Sequence, residues 1–393
     1  MANAMRPTLV LALLFFLSFN SSFAGTYNVI TYGAKADGVT DTTNAFNAAW
    51  IAACGSIEAA TIIVPGGRFL VGSNMVFNGG SCKSSDITIT IKGTLVAPGD
   101  YNVLGNTGYW LSFESVNGVS IVGGVLDGQG SSLWACKTSG KSCPSGATTL
   151  AFTNSKNVVV NGLTSLNSQL YHIVFNGCQN VTMHGIRLSA AGTSPNTDGI
   201  HIQFSTNVTV LNSRVGTGDD CVSIGPGTQN LWIENIACGP GHGVSIGSLG
   251  KSANEDGVQN VTVRRATFSG TQNGFRIKSW ARPSTGFAQN ILFQHGIMNN
   301  VQNPIVIDQN YCPNNQDCPG QVSGIQVSDV TYNNVSGSSA TKVAVKFDCS
   351  SEYPCTGITL ENVQLTYKNQ RAEASCANAA GTASGLVQPN SCL

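Results

Sequence analysis

The sequence predicts an all-β protein of one domain, a parallel β-helix with a short N-terminal capping helix, and three observations lead there. The first is an internal repeat. Asn followed by alternating apolar residues recurs at Asn157-Val-Val-Val, Asn180-Val-Thr-Met, Asn207-Val-Thr-Val, Asn230-Leu-Trp-Ile, Asn260-Val-Thr-Val and Asn290-Ile-Leu-Phe, every 23 to 30 residues, a spacing typical of solenoids. The second is another strand phrase between these: His172–Phe175, Gly199–Ile202, Cys221–Ile224, Gly243–Ile246, Phe275–Ile277 and Ile305–Ile307. Each repeat therefore holds at least two short strands, with no helical periodicity between them to suggest a doubly wound α/β sheet. The third is composition, 45 Gly in 393 residues with only 10% charged, which suits a turn-rich β chain.

Residues 1–24 read as a signal peptide, with Arg6, the apolar run Leu9–Leu17 and the small-residue site ending at Ala24. That run is too short to span a bilayer, and no later stretch reaches the roughly 18 apolar residues a membrane helix needs. A secreted product with no membrane partner is expected, its mature domain covering residues 25–393. Residues 42–53 carry the best helical stripe, with Asp41 as its N-cap, and are expected to cover one end of the coil. Stacked repeats would place their Asn residues in a ladder between rungs. Gly123-Gly124 and Asp127-Gly128-Gln129-Gly130 read as coil turns, lacking the strand–loop–helix setting of a nucleotide fingerprint. The Gly/Ala/Ser-rich tail between Cys376 and Cys392 lacks the repeat and reads as an irregular, stapled cap.

All 13 cysteines follow residue 24, and export makes disulfides their default fate. Pairing neighbours gives Cys54–Cys82, Cys136–Cys143, Cys221–Cys238, Cys312–Cys318, Cys349–Cys355 and Cys376–Cys392, leaving Cys178 single. No pair has C-x₂-C spacing, so a zinc site is disfavoured. Sequons stand at Asn180, Asn207, Asn260 and Asn334. Twenty basic residues balance twenty acidic ones, so no global field draws the chain to nucleic acid or to an acidic membrane.

Aligning the second phrase on Ile202, Ile224, Ile246, Ile277 and Ile307 brings Asp198, Asp220, His242, Asn273 and Asn303 into one column four residues earlier. Stacked strands lie about 4.8 Å apart, so Asp198, Asp220 and His242 should occupy consecutive rungs, with Asp219 beside Asp220. Alternation puts Arg276 and Lys278 on the face opposite Ile277, projecting to solvent one rung beyond His242, and Tyr311 follows on the next. Three carboxylates so close raise one another's pKa, so at least one should keep its proton. An acid beside carboxylates able to activate water is the equipment of glycoside hydrolysis, and the cations could hold an acidic sugar by its carboxylate. Taken singly, Asp198 is an ordinary turn residue, Asp219-Asp220 another, and His242 a strand-end histidine; their shared column favours the catalytic reading. A calcium site remains the alternative use of the acids, made less attractive by the neighbouring His, Arg and Lys.

The phrases Asn196-Thr-Asp198-Gly, Gly218-Asp219-Asp220, Gly241-His242-Gly243 and Arg276-Ile-Lys278, followed by Tyr311, occur in the order and spacing of a known family. The chain resembles glycoside hydrolase family 28, the polygalacturonases, from Tyr27 to the C-terminal cysteines. The resemblance implies a right-handed coil and hydrolysis of α-1,4-galacturonosyl bonds in pectin with inversion, without metal or other cofactor. It implies Asp219 as general acid, Asp198 and Asp220 as the pair that activates water, and His242 as support for the acid. Arg276, Lys278, Tyr311 and Asn196 would bind the galacturonate. Phrases such as Ser194–Ile202 and Cys238–Gly250 are most similar to plant pollen exopolygalacturonases, implying attack from the chain end in the cell wall; a monomer is the default expected of a capped solenoid.

Overall fold

Every second side chain of a strand shares a face, and here the apolar face turns inward at each rung. In the computed structural model, which describes residues 25–393, Ile202, Ile224, Ile246, Ile277 and Ile307 are successive partners in one parallel sheet and are fully buried. The column runs on through Phe175, Phe152, Phe113 and Phe77, whose rings stack with centroids 4.4–5.1 Å apart. The signal-peptide segment lies outside the described residues. Among the described residues no helix is long and apolar enough to cross a membrane.

Two sheets wrap the core, one of eleven strands carrying this column and one of twenty. One turn shows the plan. Strand Ile200–Gln203 belongs to the first sheet, and the long strand Thr206–Gly216 belongs to the second, bent at Asn212, which has φ +50°. Each such turn thus has three straight segments, one more than the two phrases visible in the sequence; the inward parity changes at the bend, from Val208 and Val210 to Ser213 and Val215.

The ladder of asparagines forms at the corner before the second sheet. Each Nδ2 donates to the Oδ1 one rung back: Asn180 to Asn157 at 3.1 Å, Asn207 to Asn180 at 3.2 Å, Asn230 to Asn207 at 3.2 Å, Asn260 to Asn230 at 3.0 Å and Asn290 to Asn260 at 2.6 Å. These residues have φ between 53° and 57°. Asn tolerates that left-handed corner and offers both a donor and an acceptor to the stack.

The helix forms over Thr43–Cys54 and buries Phe46, Ala49, Trp50 and Ala53. The Trp50 ring sits edge-on against Phe77 and Phe113, at 5.2 and 5.8 Å, closing that end of the core. Its N-cap is Thr42 rather than Asp41, because Asp41 still belongs to the preceding strand. The Asp41 carboxylate nevertheless accepts the Thr43 N–H at 2.9 Å, so it satisfies a first-turn amide from one residue further back.

Two other expectations need correcting. Strand Val125–Asp127, the Gly128-Gln129-Gly130 turn and helix Ser131–Thr138 do form a strand–loop–helix. The glycines serve packing instead of phosphate: a Cβ on Gly128 or Gly130 would lie 2.9 Å from the Asn167 oxygen or 2.6 Å from that of Ser168 on the next rung. The tail is regular as well. Glu373–Ala377 pairs with Val343–Asp348, and Ala379–Ser384 with Cys355–Tyr367, because ladder bonds need only backbone groups and small residues supply them.

The six expected disulfides are all present, and Cys178 is the unpaired cysteine among the described residues. Burial pushes its thiol up to about 11, so it is an inert core residue.

His172 is also buried inside the coil. Its Nδ1 meets Ser165 Oγ at 2.8 Å, while Nε2 has no partner. Burial pushes the imidazole down to about 3, so the folded chain holds it neutral while the unfolded chain protonates near its ordinary value of 6.5. The unfolded state then binds the extra proton, so this contribution to stability is complete above that value and is lost as pH falls toward 3. Replacing His172 by Asn, which keeps a partner for Ser165, should flatten the fall of Tm between pH 6.5 and 4. An unchanged slope in calorimetry would place the acid sensitivity elsewhere.

Candidate active site

The register of the eleven-stranded sheet builds the site. Asp198 stands just ahead of strand Ile200–Gln203, Asp219 and Asp220 ahead of Val222–Ile224, and His242 ahead of Val244–Leu249. Backbone bonds lock these approaches rung on rung: Gly199 N–H to Asp220 O at 2.8 Å, Cys221 N–H to Gly243 O at 2.7 Å and His242 N–H to Asp219 O at 2.7 Å. Gly218 is required for the close approach, since a Cβ there would fall 2.0 Å from the Ser194 carbonyl oxygen. The Cys221–Cys238 bridge pins the segment directly after Asp220.

Asp220 is buried, and both of its oxygens accept hydrogen bonds. Its Oδ1 accepts from Arg276 Nη2 at 2.6 Å and from Ser245 Oγ at 2.9 Å, and its Oδ2 accepts from Lys278 Nζ at 2.8 Å. Burial alone would raise its pKa, but Lys278 and Arg276 hold it down to about 2. The two cations were expected to project into solvent. They do stand on the face opposite Ile277, yet their side chains are only 10% and 8% exposed, because they lie down on Asp220, whose charge would otherwise be buried without compensation.

Asp198 behaves oppositely. Burial, then the charges of Asp219 and Asp220, raise it well above the usual carboxylate range. Of the three acids, Asp198 is thus the one whose surroundings favour keeping a proton. Asp219 is part-exposed; its Oδ1 accepts the Asp220 N–H at 2.8 Å and meets His242 Nδ1 at 3.0 Å.

These groups face a cavity of about 790 Å³. Asp198, Asp219, Asp220, Lys278, Tyr311 and Asn196 line it. His242 and Arg276 do not, but each bonds one of its acids: part-exposed His242 meets Asp219, and buried Arg276 meets Asp220. Lys278 Nζ lies 5.1 Å from the centre of the Tyr311 ring, and that ring meets Trp280 edge-on at 5.3 Å. Ligand atoms of Asp219, Asp220 and His242 lie within 4.8 Å of one another. As a cage for a hard cation the set is poor, because both Asp220 oxygens already serve two protein cations and a hydroxyl.

Sequence reasoning missed Tyr171, His201, Ser223 and Ser245. The signal was available: His201, Ser223, Ser245 and Arg276 are partners on four successive rungs, on the outward positions of the phrases used to align the buried isoleucines.

The family model described as Glycosyl hydrolases family 28 matches residues 54–388. A polygalacturonase from Prunus persica is 64% identical over 396 residues, covering 100% of both chains. An exopolygalacturonase from Platanus acerifolia is 42% identical over 373 residues, covering 94% of this chain and 98% of that one. Among solved structures, endo-xylogalacturonan hydrolase from Aspergillus tubingensis aligns with a TM-score of 0.77 at 25% identity, over 92% of this chain and 100% of that one. The fold they share is the right-handed parallel β-helix. With the matched segment spanning nearly the whole coil and every rung of the acidic column, the chain belongs to glycosyl hydrolase family 28.

Proposed function

We propose that the protein is an exo-acting polygalacturonase that releases galacturonic acid from chain ends of polygalacturonate, with inversion. The observation that supports it most is the division of labour among three stacked acids: one held as a carboxylate by two cations, one that burial and its neighbours push toward keeping a proton, and one part-exposed beside an imidazole. Asp219, open to the cavity and backed by His242, gives its proton to the leaving glycosidic oxygen. Water attacks the anomeric carbon from the other face and passes its proton to Asp198, with Asp220 holding that water. A carboxyl that binds a proton as firmly as Asp198 is a strong acceptor for it. For the step to run, the cluster's proton must sit on Asp219 and Asp198 must be charged once substrate is in place.

Lys278 and Tyr311 would hold the sugar carboxylate, with Asn196 at the cavity's edge. Arg276, the other expected anchor, uses its Nε and Nη2 on Ser245 and Asp220, so its contribution to the substrate would run mainly through Asp220. Relatives named polygalacturonase and exopolygalacturonase support galacturonan as substrate, and a monomer exported to the cell wall is the matching setting.

Purified protein should act on polygalacturonic acid in the presence of chelator, and size-resolved products should be monomer alone from the earliest times. A spread of oligomers would make the action internal, and unsaturated products absorbing in the ultraviolet would overturn hydrolysis in favour of elimination.

A further inference from the structure

We propose that the Phe204 ring is a stacking platform for a second sugar of the bound chain, a specificity-determining contact remote from the one made by Lys278 and Tyr311. The inference deepens the reading of the cavity given above and rests on it.

The backbone at this corner selects against the residue that occupies it. Where the chain leaves the eleven-stranded sheet, it turns through a left-handed residue on successive rungs: Ser115, Asn154, Gly177, Phe204 and Gly227, with φ of 55°, 50°, 68°, 49° and 72°. Register and ladder bonds put them in one column, each directly after a paired strand, with the Phe204 N–H donating to Pro226 O at 2.8 Å. Gly and Asn adopt that conformation readily, whereas a bulky aromatic there is an outlier. The ring is not compensated by the core, since Phe204 is 48% exposed. It lies over Gly227, where a Cβ would fall 2.5 Å from the Phe204 Cδ1, so the glycine leaves the ring its place. Backbone strain of this kind clusters at ligand clamps and active sites.

Phe204 lines the same cavity as the acids. It directly follows strand Ile200–Gln203, whereas Tyr311 ends strand Asn303–Tyr311, four strands further on in the sheet. At about 4.8 Å per rung, their backbones are roughly 19 Å apart, too far for one sugar ring to touch both. The two contacts therefore belong to different residues of a bound chain. Charge is mixed around Phe204. Gly227 N–H bonds Gly257 O at 3.1 Å, and the loop ahead of Gly257 brings Lys251, Glu255 and Asp256 to the cavity wall. The Glu255 carboxylate accepts the Lys251 N–H at 3.0 Å, which fixes the loop. With one cation against two acids, nothing on this side selects a carboxylate. What Phe204 offers is the negative face of a π-system, suited to the C–H groups of a pyranose. This subsite reads the sugar ring, while Lys278 and Tyr311 read the acid.

Three substitutions separate a platform from a packing residue. Phe204→Tyr keeps the ring, Phe204→Leu keeps apolar bulk without a π face, and Phe204→Asn restores a residue suited to the corner. Each is placed in the Asp219→Asn background, and tetragalacturonate binding is followed by calorimetry. The Kd should rise about three- to tenfold with Phe204→Leu and Phe204→Asn and hold with Phe204→Tyr. The rise should be equal at low and high salt, because no ion pair is lost. With Asp219 intact, KM on polygalacturonate should rise by the same factor while kcat stays nearly constant. Equal affinity across the three variants overturns the proposal, as does a loss shared by Phe204→Tyr, a loss that disappears at high salt, or no binding of the oligomer at all. If the unmodified protein releases no sugar from polygalacturonate while Phe204→Leu still weakens oligomer binding, the hydrolytic reading falls and the platform stands.

Discussion

Asp219→Asn should lower kcat on polygalacturonate by about 10²- to 10⁴-fold, the range general acid catalysis commonly contributes, with little change in KM. The substitution is close to isosteric. The amide oxygen can still accept the Asp220 N–H and face His242 Nδ1, the two contacts that Asp219 Oδ1 makes at 2.8 and 3.0 Å. What it lacks is a proton to give to the leaving oxygen. Steady-state release of reducing ends is the measurement, with a binding assay on oligogalacturonate beside it. Undiminished turnover would remove Asp219 from the acid role, and binding without turnover in the unmodified protein would turn the coil into a pectin-gripping module.

Asp220→Asn should cost both activity and stability. The carboxylate sits between Arg276 and Lys278, all three nearly excluded from water. Removing one member of such a group leaves the others buried without compensation, typically at about 3–5 kcal/mol. Urea melts should register that loss. The double variant Asp220→Asn with Lys278→Met should recover part of the stability, since one stranded cation is gone, and none of the turnover. If the single variant were as stable as the original, the ion pairs would owe their place to substrate handling alone.

The fold was legible because its determinants are periodic. Alternation around Ile202, Ile224, Ile246, Ile277 and Ile307 gave the register, and register placed Asp198, Asp220 and His242 on neighbouring rungs. The N-terminal turns were less visible, since the Asn phrase fades before Asn157 and Gly118 stands opposite that residue. The bend at Asn212 was missed because the buried position after it is Ser213, a polar residue that breaks the apolar pattern, and the regular tail because small, mostly exposed residues held by backbone bonds leave no apolar signature. In the site, residue identity told which groups meet but not how they lie. Arg276 and Lys278 were placed on the correct face and the wrong side of the water boundary, because alternation fixes a direction while charge pairing fixes where a long side chain ends. The seat of the retained proton was likewise out of reach, since it depends on how far each carboxyl is buried.

A coil of parallel strands is geometrically the beginning of a fibre: each end offers an unpaired row of amides and carbonyls on which another copy could continue the stack. At its N-terminal end the helix Thr43–Cys54 lies over the aromatic column, and a helix has its own backbone bonds satisfied, so the core presents no template there. At the other end the last rung is short and is tied to the chain terminus through Cys376–Cys392. The helix and the disulfide-tied last rung thus stand where a further copy would have to add its strands.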